Sequence, residues 1–561
     1  MKKKIIISLL LVIAIVLISV TCGLHVTAYN NTSKTNTVFV IDENGKATVG
    51  VSYTGYKDIT THAEISVKIQ KEGAPENEFA LDESFRTEGS GYDGEFTCQL
   101  LSRGDYVCTV VYTVFGSGGA PDVIEYSAVK ACNFDEKDMA MPGMENVDFG
   151  GYKFVFCGYI NATDGWRDYE VYAEEEASDT VEKAIAERNE ILSRLYNCSI
   201  EVKDADAGTF LPDHLTNQYD YDIANLKHNI FTHGDNRHYN FHELDIDLGK
   251  PWWDANFVND LTVDGKLYAI SGAFSLSSFD AAWALYFNRG VLESLPSLKG
   301  TDLYSLVEKD EWTFDKMFEI SRLAAEDSEI YGFVSSSYGV RALYFGMGQS
   351  YLEKTDGADG VTEFRHGFTD AAKTATDRIL ELYADESALL TSYSSVHENI
   401  KGGGALFAPY TLGVLGYYTD KNGADVGLLP IPKASSAQTD YDHIAEYKMV
   451  YTAVPKGTTD AKMLSDFLTL YAYHSYHTVY PAYLEKVAEY TGNEKDSRMA
   501  EIIINSRSFD IAFNSSWAGE DTEYLGSVRS GTNKVTELAK TVGKAIEEAA
   551  LEYKKRIARN N

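Results

Sequence analysis

Two adjacent tryptophans beside a carboxylate are the residues whose types point most directly to ligand chemistry. They stand in the run Pro251-Trp252-Trp253-Asp254. Two large amphipathic rings next to a carboxylate suit a polar, ring-shaped ligand, because the rings pack on its apolar face while the carboxylate accepts hydrogen bonds. The alternative is that both rings fill a core, since most tryptophans are largely buried. The choice depends on the rest of the chain.

A group of histidines is the second candidate for chemistry, in this case metal binding. The group consists of His228, His233, His238 and His242, followed by Glu243 and Asp245. Its spacing matches neither a helical i,i+4 zinc pair nor a closed structural zinc site. We therefore interpret these histidines as solvated loop residues, and we predict no metal ion and no cofactor.

Motifs that mark common enzymes are absent from the sequence. It contains no GxGxxG after a predicted strand, and no GxxxxGK[ST], HExxH, GxSxG or CxxC. A glycosidase needs two carboxyl groups across the bond that it cleaves, and nothing singles out two among the 84 acidic side chains. We predict no catalytic residues and a protein that is not an enzyme.

The charge of the chain argues against nucleic-acid partners. The 561 residues include 50 basic and 84 acidic side chains, for a net charge of -34. A surface this acidic repels phosphate backbones. An apolar content of 44% is ordinary for a globular protein with a large core.

The N-terminus has the layout of a bacterial secretory signal. Three lysines at positions 2–4 precede an apolar run over residues 5–20. Three outcomes stay open for residues 1–28: cleavage after Ala28, lipidation at Cys22 within a poor lipoprotein box, or retention of the run as an anchor. Each places the rest of the chain outside the cytoplasm. We therefore predict an extracellular protein that meets the membrane only through this segment.

Residues 37–132 alternate apolar and polar side chains in short runs with turn residues between them. Period-two alternation without helical periodicity predicts a small antiparallel, Ig-like β-sandwich, followed by a linker over residues 133–146. Cys98 and Cys108 could face each other across a hairpin in this region. Export permits disulfides, but the pairing stays open, and free thiols are equally compatible with an odd Cys132.

From residue 147 onward, strands alternate with helices. A strand at 152–159, a helix at 179–195 with Asp179 as its N-cap, and a strand at 199–202 form a βαβ unit, which predicts a parallel sheet. Further helices are predicted at 313–325, 369–383, 460–474 and 534–557, and further strands at 221–226, 331–334, 405–408, 426–429 and 449–454. This length exceeds one core, so we expect two α/β lobes.

Several passages together are typical of one known family. They are Lys250-Pro251-Trp252-Trp253-Asp254 through Asp264-Gly265-Lys266-Leu267-Tyr268 to Phe287-Asn288-Arg289, and the passages at 148–154, 179–189, 311–316, 402–407 and 429–432. In their order and spacing, the chain from about residue 148 resembles the family 1 extracellular solute-binding proteins of bacterial ABC importers, in particular the carbohydrate type. The β region before it is similar to an accessory domain.

The resemblance implies a two-lobed, periplasmic-binding-protein-like (type II) α/β fold over residues 147–561, with a ligand in the cleft and closure about a hinge. The implied lobes are lobe 1 at about 147–280 and 452–510, and lobe 2 at about 281–448 and 511–561. The chain would cross between them near Asp280, near residues 449–452 and near residue 510.

Sugar sites of this family combine aromatic rings with carboxylates, amides and arginines, which pair with hydroxyl groups. Carried onto the loops that would line the cleft, the resemblance implies as ligand contacts Trp166, Arg167, Asp168, His228, Asp280, Trp283, Ser336, Tyr338, Tyr410, Thr411, Phe513, Asn514 and Trp517, with Trp253 as a secondary contact. Trp166 and Trp517 are the strongest candidates, because both stand in polar loops.

The resulting expectation is an exported, monomeric solute-binding protein that captures a sugar or oligosaccharide and delivers it to an ABC permease. A peptide or modified sugar is an alternative ligand. A secreted carbohydrate-active enzyme, or a surface sensor or adhesin that uses the same cleft, is an alternative of another class.

Overall fold

The computed structural model describes residues 29–158, 170–171, 179–204, 219–226, 237–358, 360–419, 425–447, 449–515, 517 and 519–558. The predicted signal at 1–28 lies outside this part of the chain. Two compact units are present, one up to Ala140 and the other from Met141 onward.

The N-terminal unit is an antiparallel β structure. Its strands are β1 (Thr32–Ile41), β2 (Lys46–Gly55), β3 (Thr60–Lys71), β4 (Leu81–Glu88), β5 (Gly91–Gln99), β6 (Gly104–Gly116) and β7 (Asp122–Cys132). They form two sheets, ordered β1-β2-β5 and β4-β3-β6-β7. Alternate residues such as Val49 of β2 and Val67 of β3 are buried in one shared core, so the two sheets form a sandwich.

The cysteines of this unit do not face each other across a hairpin. Cys98 lies on β5 and Cys108 on β6, and these strands belong to different sheets. Both are free thiols. Burial raises the pKa of Cys108 to about 12, which keeps it as an unreactive thiol.

A tyrosine fixes the turn into β6. The hydroxyl of Tyr106 donates to the carbonyl of Ser102 at 3.1 Å, and Cys108 follows two residues later. This bond, which we call the Tyr106 corner, holds the start of β6 against the turn that precedes it.

Removing the Tyr106 hydroxyl is expected to destabilise the sandwich. Tyr106→Phe should lower the free energy of unfolding of this unit by about 1 kcal/mol, because one partly buried hydrogen bond is lost. Hydrogen exchange of β6 and β7, followed by mass spectrometry, measures the change. Tyr92→Phe is the control, since the Tyr92 ring packs on Phe85 and would remain there. Equal exchange in both variants would contradict the assignment.

The described part of the C-terminal unit contains two larger sheets and two pairs of short strands. Its strands are β8 (Tyr152–Gly158), β9 (Cys198–Asp204), β10 (Ile223–Leu226), β11 (Trp283–Asn288), β12 (Tyr331–Ser336), β13 (Leu352–Asp356), β14 (Thr362–His366), β15 (Ala388–Thr391), β16 (Ala405–Thr411), β17 (Val426–Leu429), β18 (His443–Ile444), β19 (Tyr451–Ala453) and β20 (Arg507–Ser508). The larger sheets are ordered β9-β8-β10-β19 and β15-β12-β16-β11-β17. The short pairs are β13 with β14 and β18 with β20.

Helices surround these sheets. They are α1 (Thr180–Tyr196), α2 (Ala255–Leu261), α3 (Leu276–Asp280), α4 (Arg289–Ser294), α5 (Leu303–Glu308), α6 (Phe314–Asp327), α7 (Ser337–Gly346), α8 (Asp370–Ala384), α9 (Tyr393–Gly402), α10 (Leu415–Tyr418), α11 (Ala461–His477), α12 (Val479–Thr491), α13 (Glu494–Asn505), α14 (Ile511–Ser515), α15 (Glu520–Arg529), α16 (Val535–Leu538) and α17 (Lys544–Ala558). A π-helical turn, Ala539–Gly543, joins α16 to α17.

The two larger sheets share one topology. Each contains three neighbouring parallel strands in which the first strand along the chain lies in the middle, between the second and the third. These are β9-β8-β10 in one sheet and β15-β12-β16 in the other, and an antiparallel strand lies beside the third. That antiparallel strand is β19 in the first sheet and β11 in the second. Along the chain, β19 follows strands of the second sheet and β11 follows strands of the first, so the chain crosses between the sheets before each of them. The unit therefore contains two α/β lobes, as the resemblance implies.

The segments that connect the lobes run side by side. Ala282 forms an antiparallel bridge with Ala445, and β18 pairs in parallel with β20. Short extended segments of this kind absorb the backbone rotation when two lobes close about a hinge.

Candidate functional site

The candidate site lies at one edge of the five-stranded sheet, where the carboxyl ends of three parallel strands meet. These ends are Ser336 of β12, Thr391 of β15 and Thr411 of β16, and the antiparallel β11 begins beside them at Trp283. Ser336 is in register with Thr391, and Trp283 with Thr411. Ligands of open α/β sheets bind outside this edge.

Aromatic rings form one layer of the edge. Tyr410 packs on Trp283 at 5.8 Å between ring centroids, on Tyr393 at 5.1 Å and on His397 at 4.8 Å. Trp283 and Tyr410 are buried, whereas Tyr338 and Tyr393 expose 50% and 53% of their surface. Half-exposed rings on a buried aromatic base offer faces on which a ligand ring could pack.

A buried arginine holds two carboxylates beneath these rings. Arg341 of α7 pairs with Glu446, next to the connecting segment, and with Asp521 of α15 at 2.7 Å. The indole Nε1 of Trp283 donates to the same Glu446 at 3.1 Å. The guanidinium also stacks over Phe513 at 4.5 Å. The network therefore links the second lobe to the connecting segment and orients the Trp283 ring.

Electrostatics keep the Arg341 guanidinium ionised. Burial opposes the charged form of Arg341, but Glu446 and Asp521 outweigh that effect and raise the pKa of the guanidinium. At the rim, burial and then the negative charge of Glu446 raise the pKa of Tyr393. Its hydroxyl therefore stays protonated and can both donate and accept hydrogen bonds.

A cavity of about 910 Å³ opens beside the aromatic layer. Ser336, Tyr338 and Tyr393 line it together with Asp377 and Arg529. Its volume suits a ligand of several rings. Apolar rings, hydroxyl groups and both signs of charge therefore share one concave surface, which can hold a neutral, hydroxyl-rich molecule.

Six residues predicted from the sequence come together around this edge: Trp283, Ser336, Tyr338, Tyr410, Thr411 and Phe513. Asn514 is adjacent in the chain, fully buried, and its Nδ2 donates to the Tyr451 hydroxyl at 2.9 Å. Its contacts are those of a packing residue.

Three further predicted residues have their contacts outside the aromatic layer. Asp280 accepts a hydrogen bond from the Tyr483 hydroxyl at 2.8 Å. Trp517 packs on Tyr553 of α17 at 5.8 Å. Trp253 is buried against Phe274 and lines a different cavity. Trp166, Arg167, Asp168 and His228 lie outside the described residues.

Sequence reasoning missed Arg341, Glu446, Asp521 and Tyr393. Arg341 had a usable signal, because it is the one charged residue of the otherwise apolar or small α7 segment. Glu446 also stands alone between apolar residues near a predicted crossing. Asp521 and Tyr393 have no feature in the sequence that distinguishes them from the many other aspartates and tyrosines.

Among the described residues, no group of three His, Cys, Asp or Glu side chains is placed to hold a metal ion. Of the histidine group, His242 is exposed and bonds to the Thr262 hydroxyl at 2.9 Å. His238 is buried, so its interpretation as a solvated loop residue is wrong. His228 and His233 lie outside the described part. The described helices include none long and apolar enough to cross a membrane.

Comparison with known proteins gives matches only among solved structures. The chain matches no protein-family profile and no curated protein. It is similar to the GacH receptor of Streptomyces glaucescens GLA.O, solved unliganded and with acarbose, at 12% identity over 72% of this chain and 98% of that one, with a TM-score of 0.45. It is also similar to a manno-oligosaccharide specific solute binding protein of Bifidobacterium animalis subsp. lactis, solved with mannotriose. The identity is 9% over 75% of this chain and 99% of that one, with a TM-score of 0.41. A third similar structure is the maltodextrin binding protein MalE1 of L. casei BL23, at 10% identity over 72% of this chain and 99% of that one, with a TM-score of 0.39.

Proposed function

We propose that the protein is the extracellular solute-binding component of an ABC transporter and captures a sugar or oligosaccharide between its two lobes. It acts as a monomer, passes the ligand to a membrane permease and catalyses no reaction. The observation that carries this proposal is the aromatic layer over the Arg341 network at the carboxyl edge of the five-stranded sheet.

The chemistry of that edge fits a pyranose. The C–H face of a sugar ring packs on an aromatic ring, and its hydroxyl groups need donors and acceptors in fixed positions. Tyr338 and Tyr393 offer exposed faces, while Ser336, Asp377 and Arg529 offer polar groups in the same cavity.

The connecting segments support capture by closure. Glu446 follows directly on the bridge between Ala282 and Ala445, and it holds both Arg341 and Trp283. A change in the angle between the lobes would therefore move the groups that orient the aromatic layer. This coupling suits a binder that closes over its ligand and reopens at its permease.

The N-terminal unit is proposed as an Ig-like accessory module between the exported anchor and the binding unit. Its two-sheet order and the Tyr106 corner support this role. No cluster of catalytic residues was predicted there.

A panel of sugars tests the function. Purified protein is expected to gain thermal stability with one sugar class, by about 2.7 kcal/mol at a hundredfold excess over the dissociation constant. Chromatography of the same mixtures should detect no product. Product formation would favour the carbohydrate-active enzyme, and absence of permease genes beside the coding gene would favour the sensor or adhesin.

Paired substitutions locate the sugar. Tyr393→Ala and Tyr338→Ala should each weaken sugar binding about tenfold, the loss expected for one stacked ring, and should leave the melting temperature unchanged. Tyr331→Ala is the matched control, because Tyr331 is an exposed tyrosine at the opposite end of β12. Calorimetric titration measures the affinities. Equal affinities in all three variants would contradict a sugar site at this edge.

A further inference from the structure

A second cavity lies away from the sheet edge, beside Trp253. Its volume is about 260 Å³. One wall is the loop with Lys250, Trp253 and Asp254, and the opposite wall carries Tyr480 of α12 and Arg507 of β20. All of these residues belong to the described part of the chain.

Buried donors without partners are concentrated on this cavity. The indole Nε1 of Trp253 and the Nε and Nη1 of Arg507 have no hydrogen-bond partner among the described residues. Trp253 and Arg507 expose only 4% of their surface each. Leaving a buried donor unsatisfied destabilises the protein, and the penalty is larger for a charged group. A ligand that accepts hydrogen bonds would recover this energy.

The orphan groups define the chemistry of that ligand. Indole and guanidinium nitrogens donate and do not accept, so the ligand must present acceptors. The hydroxyl of Tyr480, beside the Asn505 side chain, is a further donor, because burial and then the charge of Glu501 raise the pKa of Tyr480 to about 12. A compact group with several acceptor oxygens meets all of these donors.

The charge of the lining favours an anion. Lys250 and Arg507 are positive and Asp254 is the single carboxylate of the lining, in a chain whose net charge is -34. Lys250 also pairs with Asp247 at 3.5 Å, but both side chains are largely exposed and that pair is weak. Since Arg507 is already paired with Asp254, Lys250 is the one cation in excess on the lining, and it adds to the unpartnered donors in favouring a small anion.

The arginine is held ready for binding. Its Nη2 pairs with Asp254, its guanidinium stacks over Phe279 at 4.7 Å, and its backbone pairs with β18. A fixed guanidinium loses little conformational entropy when a ligand binds. We propose that this cavity is a binding site for a small oxyanion, either a carboxylate or inorganic phosphate or sulfate, separate from the sugar site.

Titration of the full chain with simple anions tests the proposal. Sodium acetate, phosphate and sulfate are added separately against sodium chloride of equal ionic strength, and binding is followed by calorimetry and by the melting temperature. At least one is expected to bind saturably with a dissociation constant below about 1 mM. The anion that binds most tightly shows whether the site prefers a carboxylate, phosphate or sulfate.

Conservative variants test whether the anion binds in this cavity. Trp253→Phe and Tyr480→Phe keep the rings but remove one donor each, and each should weaken binding about tenfold. Trp252→Phe is the matched control, because Trp252 is also buried with an unpartnered Nε1, yet packs on Tyr473 and does not line the cavity. Far-ultraviolet circular dichroism confirms folding of each variant.

Several outcomes would overturn the site. They are no saturable binding of any anion, unchanged binding in both Trp253→Phe and Tyr480→Phe, and an equal loss in Trp252→Phe. If a variant does not fold, the wild-type titration still decides whether an oxyanion binds. Failure of the sugar panel would leave this result unaffected, since the two ligands and the two sets of variants differ.

Discussion

Replacing Arg341 with methionine is expected to lower the free energy of unfolding of the C-terminal unit by about 3–5 kcal/mol. The substitution keeps the apolar length of the side chain but leaves Glu446 and Asp521 without their shared cation. The Arg341 side chain is only 2% exposed, so water cannot replace it readily. All 6 tryptophans lie beyond residue 141, and their fluorescence in urea therefore reports on this unit.

A matched control separates burial from charge. Arg365 is 78% exposed and lies 4.0 Å from Glu363, so Arg365→Met should change stability by no more than about 0.5 kcal/mol. A loss below about 1 kcal/mol in Arg341→Met, or an equal loss in Arg365→Met, would contradict the network.

Local signals predicted much of the fold. The helix predicted at 179–195 is confirmed as α1, and Asp179 caps it by accepting the amide N–H of Glu182. Thr313 and Thr369 likewise cap α6 and α8, at the helix starts that the sequence indicates. Asp264-Gly265, which stands between two apolar runs, is a sequence signal for a tight turn, and both residues have positive φ in the structure. These features depend on neighbours in the chain, which a sequence displays directly.

The partners within the site could not be predicted in the same way. Arg341 meets Glu446 and Asp521 across 105 and 180 residues of sequence. Such pairs depend on how the lobe and the connecting segment pack, and carboxylates are too numerous to nominate one. Trp253 illustrates the same limit, because residue type suggested a ligand contact but packing decided which cavity it lines.

Carboxyl groups with raised pKa values lie beside the connecting segments. Asp260, Asp442 and Asp510 line a cavity of about 460 Å³. Burial raises the pKa of Asp260 and of Asp442 to about 7 each, and raises that of Asp510 as well. The neighbouring carboxylates add to these shifts, while Lys354 opposes them at Asp260 and also pairs with Asp356.

These groups should make the protein less stable as pH rises. A raised pKa means that the folded chain binds more protons than the unfolded chain between about pH 4, the ordinary value for aspartate, and about pH 7. The free energy of unfolding should therefore fall across that window and level off above it. The effect is opposite to that of carboxylates stabilised by ion pairs.

Replacing two of the carboxyl groups by amides should remove most of this dependence. Asp260→Asn and Asp442→Asn together are expected to stabilise the protein at pH 8 by about 2–4 kcal/mol and to leave it unchanged near pH 4, because one pKa unit corresponds to about 1.4 kcal/mol and the groups are coupled and partly solvated. Asparagine can still accept from the Phe509 amide and the Ser508 hydroxyl, which these aspartates bind. Urea unfolding from pH 4 to pH 8, followed by tryptophan fluorescence, measures the slope. Asp440→Asn, two residues from Asp442 but exposed, is the control. The same slope in wild type and double variant would show that these carboxyl groups are not the titrating ones.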